Sequence, residues 1–279
     1  MSAEVGRGLR DKLAKIIVVK LGGATFGRHE PTVLDIGDVE NIVELQQRGE
    51  SLIIVHGGGA LITEWLKKQE IPSQFIHGER VTDRATLEVV ISVLAGLVNK
   101  EIVAAINSLG GQAVGISGVD GAMLESKLSD KELGYVGTVT SVNTGLFEIL
   151  LNSGFIPVVA PLSIHSSGKS DDDPQILNIN ADVVAGEIAA AIGAEKLIFL
   201  TDVAGIYDEQ GNLIPHLSLS EAEALLSSGV ASGGMIPKLR ACLRTLSSTQ
   251  TVSVIGGKTS HALLKEIEEG DVGTTIKGD

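Results

Sequence analysis

Two apolar runs that end in glycines constrain the fold of this chain more than any other feature of its sequence. The run Ile16–Val19 leads into Lys20-Leu21-Gly22-Gly23, and the run Leu52–Val55 leads into His56-Gly57-Gly58-Gly59. A short apolar run closed by glycine is typical of an interior strand of a parallel sheet. The sequence therefore predicts two buried strands that end in tight turns.

The residues at these two turns suit the binding of an anion. Lys20 lies near the carboxyl end of its predicted strand, where open α/β sheets place their ligands. Gly22 and Gly23 carry no Cβ, so we expect their backbone N–H groups to approach an anion closely. The second turn leads directly into a predicted helix, whose N-terminus favours negative charge. We interpret His56 as a packing or supporting residue rather than a catalytic one.

Strands and helices alternate along the rest of the chain. The predicted helices are 36–48, 60–69, 82–109, 145–153, 183–192, 218–228, 261–268 and one that opens at 233–238. The predicted strands are 112–117, 155–162, 196–201, 251–255 and 273–276, with a hairpin or lid at 75–82 and a ribbon at 135–142. This alternation predicts an α/β fold with a mostly parallel central sheet covered by helices on both faces.

Composition excludes several classes of function. The formal charge of −13 argues against nucleic acids and anionic membranes as partners, and 3% aromatic residues leave few platforms for base stacking. Cys242 is the only cysteine, which excludes an internal disulfide and a cysteine-based zinc cluster, and its apolar surroundings predict a buried helix. The sequence has neither a signal-peptide pattern nor an uninterrupted apolar run of about 18 residues, so we expect a cytoplasmic protein.

Several polar residues outside the two turns are candidates for a site. Arg80 is suited to a forked contact with a carboxylate, and a surface salt bridge is the alternative. Asn178, Asn180 and Asp182 alternate in an extended segment, so they would point together into a cleft, or else form a capping cluster at a helix start. The acidic run 171–173 lies in a polar stretch, 165–174, that we interpret as a surface loop rather than a metal site.

The common phosphate-binding and catalytic motifs are missing. Gly257-Lys258-Thr259 matches the end of a Walker A loop, but Val252 stands where the first glycine of that motif is required. No G-x-G-x-x-G follows a predicted strand, and neither H-E-x-x-H nor G-x-S-x-G occurs. A dinucleotide-binding dehydrogenase, a zinc protease and a serine hydrolase are therefore not supported.

Six short motifs nevertheless occur in a fixed order. They are Val19–Gly23, His56–Gly59, Arg80–Thr82, Asn178–Asp182, Leu200–Gly205 and Gly234–Lys238. Together they resemble the amino acid kinase family, and within it the branch that phosphorylates N-acetyl-L-glutamate in the second step of arginine biosynthesis. The resemblance runs from about residue 16 to residue 276. It implies a three-layer α/β/α sandwich over 16–279 after an N-terminal extension, 1–15, with an acyl-substrate lobe at 16–176 and an ATP lobe at 177–279.

The resemblance also implies roles for individual residues. Lys20 and Lys238 would neutralise the transferring phosphoryl group, and Asp182 would orient both lysines. Gly23 and Gly58 would donate N–H groups to the phosphoryl group. The positions that match the binding site for N-acetylglutamate are Gly58, Gly59, Arg80 and Asn178, with Arg80 on the α-carboxylate. The positions that match the nucleotide site are Thr201, Asp202, Val203, Gly205, Ile206, Tyr207, Val230, Ala231 and Ser232.

The chemistry of the implied reaction fits these residue types. The acceptor is a γ-carboxylate with an ordinary pKa of about 4.3, so it is ionised at pH 7 and needs no general base. The obstacle is the approach of one anion to another, which lysines, backbone N–H groups and Mg²⁺ reduce by neutralising charge. ATP would carry the Mg²⁺, and no residue is predicted to bind the metal directly.

Two other functions remain open at this point. Thr82-Asp83-Arg84 and Gly115–Gly118 lean toward a paralogous kinase that phosphorylates carrier-linked α-aminoadipate in lysine biosynthesis, although an acidic carrier would favour a basic groove. A non-catalytic sensor that binds an amino acid on the same fold is the second alternative. Retention of Lys20, Asp182 and Lys238 argues against the sensor, which needs no phosphoryl clamp.

The long predicted helix 82–109 carries an apolar stripe suited to burial or to a subunit contact. We expect a homodimer through this helix, with a hexamer as the alternative. Arginine-inhibited relatives carry a longer N-terminal helix, and Val254–Lys258 departs from their Asp-Gly-Arg pattern. We therefore do not predict feedback inhibition by arginine.

Overall fold

A computed structural model describes residues 16–22, 36–167, 170–228, 235–246, 249, 251–257, 261–270 and 272–278. The helices are α1 (Ile36–Gln47), α2 (Gly59–Lys68), α3 (Arg84–Ser108), α4 (Gly145–Asn152), α5 (Ala181–Ile192), α6 (Leu219–Ser227), α7 (Met235–Leu246) and α8 (Ala262–Glu268). The strands are β1 (Ile16–Leu21), β2 (Ser51–His56), β3 (Phe75–Ile76), β4 (Glu79–Arg80), β5 (Ala113–Ser117), β6 (Leu124–Leu128), β7 (Gly137–Val142), β8 (Ile156–Ala160), β9 (Leu162–Ser167), β10 (Ile176–Asn178), β11 (Lys196–Thr201), β12 (His216–Ser218), β13 (Thr251–Gly256) and β14 (Thr274–Lys277).

Eight strands form one sheet in the order β12-β14-β13-β11-β1-β2-β8-β5. Every neighbouring pair is parallel except β13 and β14. The chain leaves the central strand β1 toward β2 and later returns to the other side of β1 as β11. A reversal of this kind opens a crevice at the carboxyl ends of the strands. The prediction of a mostly parallel central sheet is confirmed.

Alternation along the buried strands explains the layers. In β1, Ile17 and Val19 pack on one face with residues of α1, α2, α3 and α8. Ile16 and Val18 pack on the other face with residues of α4, α5, α6 and α7. Because successive side chains of a strand point to opposite faces, strands covered on both sides are apolar throughout. The predicted α/β/α sandwich is confirmed.

A second sheet was missed by the sequence analysis. Its four strands lie in the order β10-β9-β6-β7, and only β7 was predicted. The polar stretch 165–174 was interpreted as a surface loop, which is wrong at its start because His165 lies in β9 and is buried. Ser126 and Ser163 are also fully buried in this sheet. Polar residues at inward-facing positions removed the apolar alternation that identifies a strand.

The predicted hairpin and the predicted burial of Cys242 are confirmed, and side-chain caps account for the starts of two helices. The stretch 75–82 forms the hairpin β3–β4. Asp83 caps α3 through the backbone N–H of Thr86, and Ser218 caps α6 in a capping box with Glu221. Cys242 is buried in α7, where burial raises the pKa of its thiol well above the usual range.

Helix α3 is long and contains an irregular segment. Ser92–Val98 is π-helical, between the α-helical segments Arg84–Ile91 and Asn99–Ser108. The whole stretch is long and apolar enough to cross a membrane by length and composition alone, and 44% of its most apolar window is buried in the fold. A buried core helix meets the same criteria, so this is weak evidence for a membrane span. Val90, Val93 and Ile102 belong to the core beside the main sheet.

Candidate active site

Three charged side chains from distant parts of the chain meet at the carboxyl end of β1. Lys20 Nζ lies 2.8 Å from Asp182 Oδ1, and Lys238 Nζ lies 3.0 Å from Asp182 Oδ2. Lys20 shares its face of β1 with Val18, which packs toward α5 and α7. Asp182 lies in the first turn of α5 and Lys238 in the first turn of α7. The sequence analysis predicted this grouping of the three residues.

The three charges are almost entirely shielded from solvent. The side chains of Lys20, Lys238 and Asp182 are 12%, 9% and 8% exposed. Burial on its own would raise the pKa of Asp182, but the two ammonium groups outweigh it and hold that pKa below its ordinary value. At neutral pH the cluster therefore carries one net positive charge. A buried surplus of positive charge is suited to an anion such as a phosphoryl group.

The segment Asn178–Asp182 combines the two predicted interpretations. Asn180 caps α5, because its Oδ1 accepts a hydrogen bond from the backbone N–H of Asp182 at 2.9 Å. This cap fixes the first turn of the helix and so aims the Asp182 carboxylate at the lysines. Asn178 donates from Nδ2 to Thr82 Oγ1 at 3.1 Å and lines a neighbouring cleft.

The cleft beside these residues has a volume of about 190 Å³. One wall is formed by Gly57, Gly58 and Gly59, and another by residues 178–181. The remaining lining residues are Ile62, Phe75, Gly78, Glu79, Arg80, Leu94, Val136 and Pro161. All four predicted substrate-binding residues, Gly58, Gly59, Arg80 and Asn178, thus lie around one cavity of small-molecule size.

Arg80 places a positive charge in the wall of this cleft. It is 8% exposed. Its guanidinium donates to Ser73 Oγ, to the carbonyl oxygen of Gly59 and to Thr63 Oγ1, and lies 4.6 Å from the centre of the Phe75 ring. Burial lowers the pKa of Arg80, yet no carboxylate pairs with it among the described residues. The surface salt bridge considered in the sequence analysis is therefore wrong, and the uncompensated charge favours an anionic ligand.

The glycines differ in what their N–H groups can do. Gly22 donates its N–H to the carbonyl oxygen of Leu200 at 2.8 Å, and a Cβ on Gly22 would lie 2.6 Å from the same oxygen. The prediction that Gly22 offers its N–H to an anion is therefore wrong, because strand β11 uses it. Gly57 donates to Leu21 O at 3.1 Å. Within the described ranges no partner accepts from the N–H groups of Gly58 and Gly59, and Gly23 lies outside those ranges.

The predicted nucleotide residues follow β11. Thr201 is buried at the strand end, next to Gly256 of β13. Gly205 packs so closely that a Cβ would lie 2.6 Å from Thr274 Oγ1, which also accepts the N–H of Ile206 at 2.8 Å. Tyr207 is half-exposed on the same loop. Asp202 and Val203 lie between them, whereas Val230, Ala231 and Ser232 lie outside the described residues.

Two supporting residues were missed as parts of the site. Thr82 belongs to the motif Arg80–Thr82 but was given no role of its own, whereas its hydroxyl accepts from Asn178 and donates to Arg80 O at 3.0 Å. Asn99 was not singled out, although its side chain contacts the ring of His56. No local pattern identifies either contact, because the partners of Asn178 and His56 lie 96 and 43 residues away.

A protein-bound metal has no evident ligand set in this part of the chain. Among the described residues, no group of three His, Cys, Asp or Glu side chains could hold a metal ion. In the acidic run, Asp173 accepts from the backbone of Ser170, and Asp172 O accepts from Arg84. The interpretation of this run as part of a loop agrees with these contacts.

The sequence profile of the amino acid kinase family matches residues 15–256. A protein of Dehalococcoides mccartyi named acetylglutamate kinase is 44% identical over 263 residues, which cover 94% of this chain and 94% of that protein. A protein of Nostoc sp. with the same name is 47% identical over 270 residues, which cover 95% of this chain and 88% of that protein. A crystal structure from Streptococcus mutans, 28% identical, superposes with a TM-score of 0.79 over 96% of this chain and 100% of that one.

The buried ion cluster predicts the effect of Asp182→Asn on stability. The substitution leaves two ammonium groups together without their counter-charge, and breaking a buried pair in this way costs about 3–5 kcal/mol. We expect the free energy of unfolding at pH 7, measured by urea titration, to fall by that order. The folded-state pKa of Asp182 is depressed, so the native contribution is present above about pH 4 and is lost at lower pH. The difference between the two proteins should therefore narrow as the pH falls below about 4.

Glu64→Gln is the control at an exposed ion pair. Glu64 pairs with Lys68, and the two side chains are 39% and 58% exposed. Ion pairs between exposed side chains contribute about 0–1 kcal/mol, so this variant should stay within that range. Equal stability of Asp182→Asn and the wild type at pH 7 would contradict the ion cluster.

Proposed function

The chain belongs to the amino acid kinase family, and we propose that it transfers the γ-phosphoryl group of ATP to the γ-carboxylate of N-acetyl-L-glutamate. The product would be N-acetyl-L-glutamyl 5-phosphate, the second intermediate of arginine biosynthesis. One observation carries the proposal: the buried cations lie in two separate groups. Lys20 and Lys238 flank Asp182 at the end of β1, and Arg80 lies across the neighbouring cleft. A substrate with two carboxylates, one held and one phosphorylated, matches that division.

The reaction needs charge neutralisation rather than proton transfer. An oxygen of the ionised γ-carboxylate forms a bond to the γ-phosphorus of ATP. The bond from that phosphorus to the bridging oxygen breaks, and ADP leaves with the electron pair. No proton moves, so the reaction needs no general base. Lys20 and Lys238 would stabilise the charge on the phosphoryl oxygens, which become equatorial in the transition state.

The cleft fits the acceptor by size and by chemistry. Arg80 would hold the α-carboxylate through its guanidinium, the group best suited to forked binding. Asn178 would accept a hydrogen bond from the N–H of the acetamido group or donate one to its carbonyl oxygen. Ile62 and Leu94 lie in the cleft wall and would contact the acetyl methyl group. Free glutamate lacks that group and carries an ammonium charge, which would face an apolar surface at a cost in desolvation.

The nucleotide would lie on the other side of the lysines. Thr201, Asp202, Val203, Gly205, Ile206 and Tyr207, together with Val230, Ala231 and Ser232, are the residues that we propose for its binding. The tight packing of the loop after β11 against Thr274 supports a fixed rather than adaptable surface. Mg²⁺ bound to the phosphates would supply further positive charge to the leaving group. Asp182 is engaged by two lysines, so we do not propose it as a metal ligand.

The two halves of the chain would bind different substrates. We propose an acyl-substrate lobe over 16–176 and an ATP lobe over 177–279, with residues 1–15 as an extension. The continuous eight-stranded sheet supports a single domain rather than two independent ones. A cytoplasmic location suits an enzyme that consumes ATP. The names of the two relatives favour N-acetylglutamate over a carrier-linked acceptor and over a sensor without catalytic function.

Turnover of the acceptor is the first test. ADP release should be robust with Mg²⁺-ATP and N-acetyl-L-glutamate, and low with L-glutamate or N-acetyl-L-aminoadipate. Hydroxylamine should trap the acyl phosphate as a hydroxamate in step with ADP release. Turnover of the aminoadipate derivative alone would instead support the paralogous kinase. Binding of N-acetylglutamate without turnover would support the sensor.

The lysine pair predicts a kinetic signature. Lys20→Ala and Lys238→Ala should each lower kcat by about 10²-fold or more, because electrostatic contacts made in the transition state are lost. KM for N-acetylglutamate should change far less. Lys68→Ala, at an exposed surface position, should behave as the wild type. Near-normal kcat in both active-site variants would defeat the assignment.

The outer face of α3 predicts the assembly. Gly96 lies on it, exposed, with open space where a Cβ would be, and Ala95 and Leu97 beside it are half-buried. We propose a homodimer through this face, so light scattering should give twice the mass of one chain. Gly96→Arg places a charge at the contact and should give monomers. A hexamer, or a dimer unaffected by this substitution, would contradict the arrangement.

A further inference from the structure

The ring of His56 is buried at the end of β2, directly before the three glycines of the cleft. It is 0% exposed. Its Nδ1 lies 2.8 Å from the carbonyl oxygen of Gly57, and its Nε2 lies 3.2 Å from Asn99 Nδ2. The pKa of His56 is lowered to about 4, mainly by burial and to a smaller extent by the charges of Lys100 and Lys20, which together outweigh the opposing effect of the contact with Gly57. The imidazole is therefore neutral at pH 7 and carries one proton.

The surrounding hydrogen bonds leave only one place for that proton. A carbonyl oxygen can only accept, so Nδ1 must carry the hydrogen that reaches Gly57. Nε2 then has a lone pair and accepts from the amide of Asn99. The amide orientation of Asn99 is fixed independently, because Nδ2 donates to Val158 O at 2.9 Å and Oδ1 accepts from Lys100 Nζ at 3.0 Å. Asn99 Nδ2 also lies 3.3 Å from the carbonyl oxygen of Ile116, so its second hydrogen is shared between that oxygen and His56 Nε2. The position of the proton on His56 follows from the contact of Nδ1 with Gly57.

This tautomer determines how the next peptide is turned. The C=O of Gly57 and the N–H of Gly58 belong to one planar trans peptide, so they point in opposite directions. Since the carbonyl points at the buried ring, the N–H points away from it, and Gly57 and Gly58 line the cleft. The N–H of Gly58 finds no acceptor within the described ranges. It is thus free for a ligand.

The π-helical segment of α3 packs against the other side of Gly58. A Cβ on Gly58 would lie 2.7 Å from Leu94 Cδ2 and 3.3 Å from Val98 Cγ2. Residues five apart in an α-helix differ by about 140° in direction. The i→i+5 spacing of Ser92–Val98 brings Leu94 and Asn99 toward one face. The segment therefore lets one helix pack against Gly58 and also reach His56.

We propose that His56 and Asn99 are positioning residues, which turn the Gly57–Gly58 peptide so that its N–H donates to the oxygen that becomes more negative during phosphoryl transfer. The inference rests on the proposed function and deepens it. Neither side chain touches the substrate. They act through a backbone donor, which would otherwise be free to rotate because glycine has no side chain to restrain it.

Replacing the donor on His56 tests the mechanism. His56→Leu removes the hydrogen bond to Gly57, whereas His56→Asn places an amide N–H near the position of Nδ1. We expect His56→Leu to lower kcat by about 10²-fold, as loss of an oxyanion-hole donor does. We expect His56→Asn to recover about 10-fold of that loss, with KM for ATP little changed in both. Equal kcat in the two variants, each corrected for its folded fraction, would overturn the inference.

Two asparagines on α3, Asn99 and Asn107, allow a positioning role to be distinguished from a purely structural one. Asn99→Leu should lower kcat in the same way as His56→Leu. Asn107 also bonds the backbone, through Ala113 N at 2.7 Å and Ala113 O at 3.3 Å, but at the far end of the helix. Asn107→Leu should lower the melting temperature and leave kcat of the folded enzyme unchanged. If Asn99→Leu lowers only the melting temperature, the role of Asn99 is structural and the inference fails.

A measurement without substrate distinguishes this inference from the proposed function. Nitrogen-15 NMR of the imidazole in the wild-type protein should show the proton on Nδ1 of His56, the rarer tautomer of free histidine. A proton on Nε2 would overturn the inference whatever the enzyme phosphorylates. An absence of N-acetylglutamate turnover in the wild type, with the proton on Nδ1, would overturn the proposed function and leave the orientation of the peptide standing.

Discussion

The contact of Asp182 with two lysines is the interaction on which the rest of the site depends. It joins the end of β1 to the first turns of α5 and α7, which are far apart in sequence. Apolar side chains of similar volume would often give equal or greater stability at such a buried position. The ionic cluster is therefore better explained by its chemistry than by stability. It holds two positive charges at a fixed spacing while limiting their mutual repulsion.

The distribution of charge reconciles an acidic protein with anionic ligands. The chain has a formal charge of −13, yet its buried cations are concentrated along one edge of the sheet. Arg80 and the lysine pair are shielded from bulk water. Electrostatic interactions of such shielded charges are stronger than in bulk water and are less screened by salt. His56, buried at the end of β2, remains neutral and adds no repulsion. Selectivity for anions thus arises locally and does not require a basic surface.

Much of the fold and of the site could be predicted from sequence, because the informative residues follow strand ends. Apolar runs closed by glycine identified β1 and β2, and parallel pairing brings such ends to one edge. The grouping of Lys20, Asp182 and Lys238 was implied by the resemblance to the amino acid kinase family, and the three residues meet. Short strands with buried polar residues, such as Ser126 and His165, gave no alternating pattern, so the second sheet was missed. The role of Gly22 was also misjudged, because sequence cannot distinguish a glycine required by a neighbouring strand from one required by a ligand.

Long-range polar contacts were the other limit. Nothing near Asn99 indicates a partner 43 residues away, and hydrophobic periodicity does not distinguish a π-helical turn from an α-helical one.

That turn has a consequence for how the chain can vary in length. A π-helical segment accommodates a residue more per turn than an α-helix. Deletion of one residue from Ser92–Val98 would allow regular α-helix throughout α3. With one of residues 95–98 deleted, Leu94 and Asn99 would be four residues apart in a regular helix and about 40° apart in direction, so both would stay on one face. Asn99 would still face His56, and Ile102 and Ile106 would keep their places in the core. The same deletion in a regular α-helix would rotate everything beyond it by about 100° about the helix axis. The π-helical segment is therefore the place in α3 where the chain can lose one residue and keep both the packing of the acyl-substrate half and the backbone of the cleft.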